Sequence, residues 1–182
     1  MDTTLKPTIK GIFVNSHVKA VRTLKGDNGI RALEKLYGKS LDFKNSENVP
    51  VRDEVRLIEY ALDLLADKPV PIHERSFEAG RLHFRNFTTT PLARIIFSLF
   101  RKNFKLMMMQ TENIAGHVFQ GVTFSSVDLA PTAVRVVMEN NDYPIDHFRG
   151  LFYEWMRFSG YAGTIEGREI SPNVYEYTIQ WQ

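Results

Sequence analysis

The sequence predicts an α+β fold, with an N-terminal helical layer packed on a C-terminal four-stranded antiparallel sheet of ββαββ order. Three observations carry this. Residues 118–128 and 132–139, and again 162–170 and 174–181, alternate apolar and polar positions or are β-branched, the period of strands with one buried face. Between the two pairs, Pro144 to Ser159 has helical spacing. Ahead of them, the chain to Gly116 falls into helical-period segments punctuated by Gly and Pro. Helices first, then a sheet with one crossover helix, is an α+β layout. At 182 residues the chain reads as a single domain, with 1–116 mainly helical and 117–182 the ββαββ part.

Lys10-Gly11-Ile12-Phe13-Val14 is a short apolar run expected to be a strand or extended segment. Asn15 or Ser16 can then cap a helix bearing Val18, Val21 and Leu24, which Gly26 ends. Asp27 caps a second helix carrying Ile30, Leu33, Leu36 and Tyr37, with Gly38 as its stop. Pro50 opens a longer helix, with Val51, Val55, Ile58, Leu62 and Leu65 in period, until Pro69 and Pro71 break the chain. A helix over about 73–87 shows Phe77, Gly80, Phe84 and Phe87 along one face. Gly80 costs helix propensity, about 1 kcal/mol against Ala, which points to close approach by another backbone or, less often, a ligand. Leu92 to about Ile114 reads as one helix, apolar almost all round and therefore buried, with a kink at Asn103. In the C-terminal part, Ala130-Pro131 and Ser171-Pro172-Asn173 make the hairpin turns, and Ile145, Phe148, Phe152, Trp155 and Met156 line the crossover helix.

A hydrophobic content of 43% with 24% charged residues is globular. The formal charge of +2 does not suggest nucleic acid. Without cysteine there are no disulfides, thiolate metal sites or cysteine nucleophile. No basic-then-apolar leader opens the chain and no uncharged apolar run is long enough for a membrane span, so a cytoplasmic protein is expected.

No catalytic set recommends itself, and the chain is expected not to be an enzyme. The histidines at 17, 73, 83, 117 and 147 are scattered and form no ligand-spaced pair, so no metal site is expected. Glu54, Glu59, Glu74 and Glu78 read as exposed helix carboxylates beside arginines. The glycines at 116, 121, 150, 160, 163 and 167 read as turns, bends and helix ends. What stands out is apolar excess on the helices. Methionine adapts to apolar ligands, and ligand sites are apolar cavities with a few placed polar groups. The candidate ligand-binding residues are His83, Phe84, Phe87, Phe97, Phe100, Arg101, Phe104, Lys105 and Met108, around a pocket between helix 73–87, helix 92–109 and the sheet. Of these, His83 is the best functional imidazole, weighed against a half-buried histidine bonded to backbone. The row Arg94, Arg101 and Lys105 either meets an anionic head or is the helix's solvent stripe.

Lys10-Gly11-Ile12-Phe13-Val14-Asn15-Ser16, Asp142-Tyr143-Pro144 and Thr178-Ile179-Gln180-Trp181 resemble an uncharacterised bacterial domain family expanded in myxobacteria. The layout also resembles the superfamily of haem nitric-oxide-binding sensors, four-vinyl-reductase-type domains and acyl-binding trafficking subunits. The resemblance implies a pocketed sensor or adaptor. The haem sensors' tyrosine-x-serine-x-arginine motif is missing here, so the reading goes against haem and no cofactor is expected. The trafficking relatives' acylated cysteine is missing too, so an acyl ligand would be noncovalent. The first reading is thus a sensor or adaptor binding an apolar small molecule such as a fatty acid. The second is a homodimeric protein-interaction adaptor using an exposed patch with Trp155 and Trp181, and the third is a haem or gas sensor.

Overall fold

The computed structural model describes residues 5–100 and 103–182, the Phe100 side chain excepted. Strand β1 (Thr8–Lys10) leads directly into helix α1 (Gly11–Tyr37). Gly11 to Val14 is therefore the first turn of a helix and not the expected strand. The reason is a close contact: a Cβ at Gly11 would lie 2.2 Å from the Lys44 carbonyl oxygen, so glycine lets the chain turn there. At Gly26 the backbone of α1 leaves the helical region, with φ 62° and ψ −159°. The expected break between two helical segments thus becomes a kink. Gly38 closes α1 in the left-handed conformation, donating to the Glu34 carbonyl.

Strand β2 (Asn48–Pro50) and helix α2 (Val51–Leu65) follow, then α3 (Arg75–Phe87), α4 (Pro91–Phe100), α5 (Phe104–Met109) and α6 (Thr111–Val118). The expected single helix 92–114 is three helices. Asn103 caps α5, its side chain accepting from the Leu106 N–H, so it starts a new helix instead of kinking an old one. Nor is α4 buried all round: Ile95 and Leu99 are exposed.

The four-stranded antiparallel sheet has the order β4-β5-β7-β6, built from β4 (Thr123–Ala130), β5 (Ala133–Glu139), β6 (Gly163–Ser171) and β7 (Val174–Trp181). Helix α7 (Ile145–Phe158) crosses between the hairpins, giving the predicted ββαββ order. Register pairs Val134 with Ile179 and Val136 with Tyr177. All four side chains are buried, because alternate residues of a strand face the same side. The first predicted strand is split at Gly121 (φ 79°), which turns the short β3 (Phe119–Gln120) away from β4. β3 joins a separate three-stranded sheet of order β2-β1-β3, in which Ile9 pairs with Val49 and with Phe119.

Helices α3 and α7 pack unusually close. A Cβ at Gly80 would lie 1.8 Å from the His147 carbonyl oxygen, and one at Gly150 would lie 1.9 Å from the Phe77 carbonyl oxygen. Close backbone approach is thus the reason for Gly80. Gly150 is its counterpart in the middle of α7, not a turn residue. Arg81 of α3 ties the pair at the rim through Glu154, 2.8 Å away.

Candidate functional site

Two features sit beside this helix pair. One is a cavity of about 60 Å³ between α3, α6 and α7, with Phe119 and Phe124 also in its wall. Its wall is apolar except at His83 and Thr111; Phe84, Phe87, Phe148 and Trp155 are among the rings that face it. Phe84 stacks on Trp155 at 5.5 Å between ring centroids, a contact that keeps α3 and α7 in fixed register.

The other feature lies behind His83. The Glu54 carboxylate, on the first turn of α2, is 0% exposed. His17 of α1 reaches it with Nε2 2.8 Å from Oε1, and His83 Nδ1 lies 3.6 Å from the same oxygen. His147 of α7 adds Nε2 at 3.0 Å from His83 Nδ1. Asn86 of α3 holds the far side of the His17 ring, 2.9 Å from its Nδ1. Four helices therefore contribute to one buried polar cluster. Burial pushes the Glu54 carboxyl up, but the charge His83 takes on in acid and the hydrogen bond from His17 outweigh it and hold it at about 2. Burial lowers His83 to about 4 and His147 to about 3, so both imidazoles are neutral at pH 7. The same cause, reinforced by the Glu54 charge, raises the Tyr143 phenol well above its ordinary value. His147 Nδ1 is buried and makes no hydrogen bond, and the Tyr143 hydroxyl lies against the Glu54 carboxylate.

The sequence-predicted residues divide three ways. His83, Phe84 and Phe87 line the cavity. Phe97 packs edge-on against Phe84 and Trp155 just behind it. Phe104 instead meets Tyr161 and Trp181, Met108 is plain core, and Lys105 pairs with Asp128 at 2.7 Å on the β4–β5 hairpin. Arg101 and the Phe100 side chain lie outside the described residues. The pocket thus opens toward α6 and α7 and not toward the expected helix 92–109. His83 bonds another histidine and not backbone. Glu59 and Glu78 pair with Arg75 and Arg81 as expected, whereas Glu54 is buried, against the expected exposed face. Trp155 and Trp181 are buried as well, so they make no surface patch.

The family described as a protein of unknown function, DUF2378, matches residues 3–182. The chain belongs to this family. No curated protein matches it. Among solved structures it resembles H-NOX domains, the haem-nitric-oxide-binding fold. A point mutant of the T. tengcongensis H-NOX aligns with a TM-score of 0.66 at 17% identity, over 95% of this chain and 97% of that one. Another single-site mutant, of the Tt H-NOX, gives 0.69 at 16% identity, over 95% of both chains. A point mutant of the Fe(II) unliganded H-NOX protein from K. algicida gives 0.66 at 14%, over 95% and 96%. This member of DUF2378 therefore has the H-NOX fold.

These neighbours overturn the reading against haem. One solved structure at TM-score 0.68 concerns haem redox potential and porphyrin distortion. In this chain His17, Glu54 and His83 stand close enough to act as ligands, which also corrects the expectation of no metal-capable site. The cavity has the character a haem requires, an apolar slot with an imidazole in its wall. Its volume is well below the roughly 300–1,000 Å³ of most ligand clefts, so admitting a porphyrin requires α6 to part from α3 and α7. A long acyl chain meets the same limit, and none of these neighbours supports the fatty-acid reading. Among the described residues no helix is long and apolar enough to cross a membrane.

Proposed function

We propose that this domain is a sensor module that takes haem in the cavity between α3, α6 and α7, with His83 as its ligand. The observation that carries the reading is the apolar cavity walled by a buried, neutral imidazole, in a fold whose solved neighbours include haem proteins. Haem bound there would supply an iron centre able to take up a diatomic gas. His83 is kept deprotonated by burial, the state in which an imidazole can ligate. The rings of Phe84, Phe148 and Trp155 would exclude water from the bound group. Any shift of His83 passes directly to His147 and so to α7, because their ring nitrogens are 3.0 Å apart. Glu54 anchors the other side of the pair.

Reconstitution tests this. Hemin added to the folded apo-protein is expected to give a Soret band at one equivalent per chain, and His83→Ala is expected to abolish it while keeping the circular dichroism of the fold. No Soret band on the wild-type protein would sink the proposal. The cavity volume favours one further reading, a small apolar ligand bound directly. A cavity of about 150 Å³ takes benzene or xenon, and one of about 60 Å³ suits a diatomic molecule. Chemical-shift changes of cavity residues under xenon, without haem, distinguish that case.

A further inference from the structure

We propose that His17, Glu54 and His83 form a second site, distinct from the apolar cavity, that binds one divalent transition-metal ion of the zinc or ferrous class. The ligand chemistry is suitable. Two imidazoles and one carboxylate without thiolates are a set that zinc and non-haem iron both accept, with water completing the coordination. The spacing is suitable too. Bonds of about 2.0–2.2 Å place neighbouring donor atoms of a tetrahedral ion roughly 3.3 Å apart. In the cluster, Glu54 Oε1 is 2.8 Å from His17 Nε2 and 3.6 Å from His83 Nδ1. One donor atom from each of His17, Glu54 and His83 lies within 4.8 Å of the others, near enough for an ion to draw the three together.

The Glu54 carboxylate is fully buried among these imidazoles, and His147 Nδ1, on a residue 0% exposed, has no hydrogen-bond partner. Buried polar atoms are nearly always satisfied, so an unpaired one beside the cluster is a place for an ion-bound water. Buried charges are paired or coordinate metals, and a dication would balance the Glu54 charge. On binding, the single proton of the His17 ring moves from Nε2 to Nδ1, freeing the Nε2 lone pair with no net proton release. The Asn86 amide, turned to present Oδ1, accepts the N–H of His17 Nδ1, the outer contact that metal-bound imidazoles use. His83 lies in both the cluster and the cavity wall, and its one lone-pair nitrogen can serve either the ion or a cavity ligand, so the two bind in competition.

Five histidines and no cysteines make the test clean. The full chain, without a histidine tag and stripped with EDTA, is titrated with Co²⁺ and then Zn²⁺. One equivalent of Co²⁺ is expected to give visible ligand-field bands of four-coordinate type that Zn²⁺ bleaches. Zn²⁺ at a hundredfold excess over its Kd is expected to raise Tm by roughly 5–10 °C. The double variant His73→Ala/His117→Ala removes the two exposed histidines, and it must bind as the wild type does, since only His17, His83 and His147 then remain. Glu54→Gln, where it folds, must lose the bands. The idea is overturned if wild-type protein shows no bands and no shift, if the double variant fails to bind, or if folded Glu54→Gln binds unchanged. None of these readouts involves haem, so their failure is separate from failure of the Soret test.

Discussion

Substituting Gly80 by alanine tests the helix contact on which both candidate sites depend. The new Cβ would sit 1.8 Å from the His147 carbonyl oxygen, whereas real Cβ contacts essentially never fall below 3.0 Å. The obstructing atom is backbone, so it cannot rotate aside, and α3 and α7 must separate by more than an ångström. Alanine offers about 1 kcal/mol of helix propensity over glycine. Against that, overpacking of a well-filled core costs about 1–3 kcal/mol, occasionally more, and a rigid backbone obstacle belongs at the upper end. A net loss of about 2 kcal/mol lowers Tm by roughly 4–8 °C for a domain of this size. Thermal melts followed by circular dichroism measure it. Gly116→Ala is the control: this helical glycine has nothing within 4 Å of its would-be Cβ, so the same substitution should raise Tm by a few degrees. Gly150→Ala should behave like Gly80→Ala, and the double variant should cost less than the sum, because both open one interface. If Gly80→Ala melts at or above the wild type, the close contact does not exist and the description of the α3–α7 pair is wrong.

Three further expectations follow from the same geometry. His83 and His147 have folded values of about 4 and about 3 against an ordinary 6.5, so between those limits the unfolded chain binds more protons and stability falls as pH falls. Glu54 adds to this between 4.5 and about 2, and urea midpoints should drop steadily below pH 6.5 while staying flat from 7 to 8. Leu151→Ala enlarges the cavity that Leu151 lines, with an expected loss of about 2–5 kcal/mol in urea unfolding, partly restored under xenon pressure. At Gly26, φ 62° and ψ −159° is a conformation that side chains avoid, so Gly26→Ala should cost about 1–3 kcal/mol although its Cβ would touch nothing within 4 Å.

The sheet and α7 are legible in the sequence because their signal is local. Val134, Val136 and Met138 alternate with their neighbours in facing the core, and burial follows the same alternation. The short strand β1 is not legible, since three residues carry no period and its partners lie 40 and 110 positions away. The polar cluster is hidden for a related reason. His17, Glu54, His83 and His147 come from four helices, and no spacing rule spans such separations. A weaker signal is present. Glu54 stands three residues after Val51 and four before Ile58, on the apolar face of its helix, and His83 stands four from both Ala79 and Phe87. An ionisable residue on an apolar stripe is a better pointer to a buried network than its distance from another histidine. The three-way split of residues 92–118 does not show in apolar content, which is no measure of burial; its one local signal is Asn103, a residue able to cap.

The central strand of the three-stranded ribbon has a consequence for the order of assembly. Ile9 finds Val49 early but needs Phe119 to complete its other edge. A ribosome adding about 5–20 residues per second makes Phe119 roughly 5–20 s after Ile9. During that interval one side of β1 is an open row of amides and carbonyls, the kind of edge on which chains join one another. Phe119 is also part of the cavity wall. Capture of the earliest strand and completion of that wall are thus one late event in the life of the nascent chain.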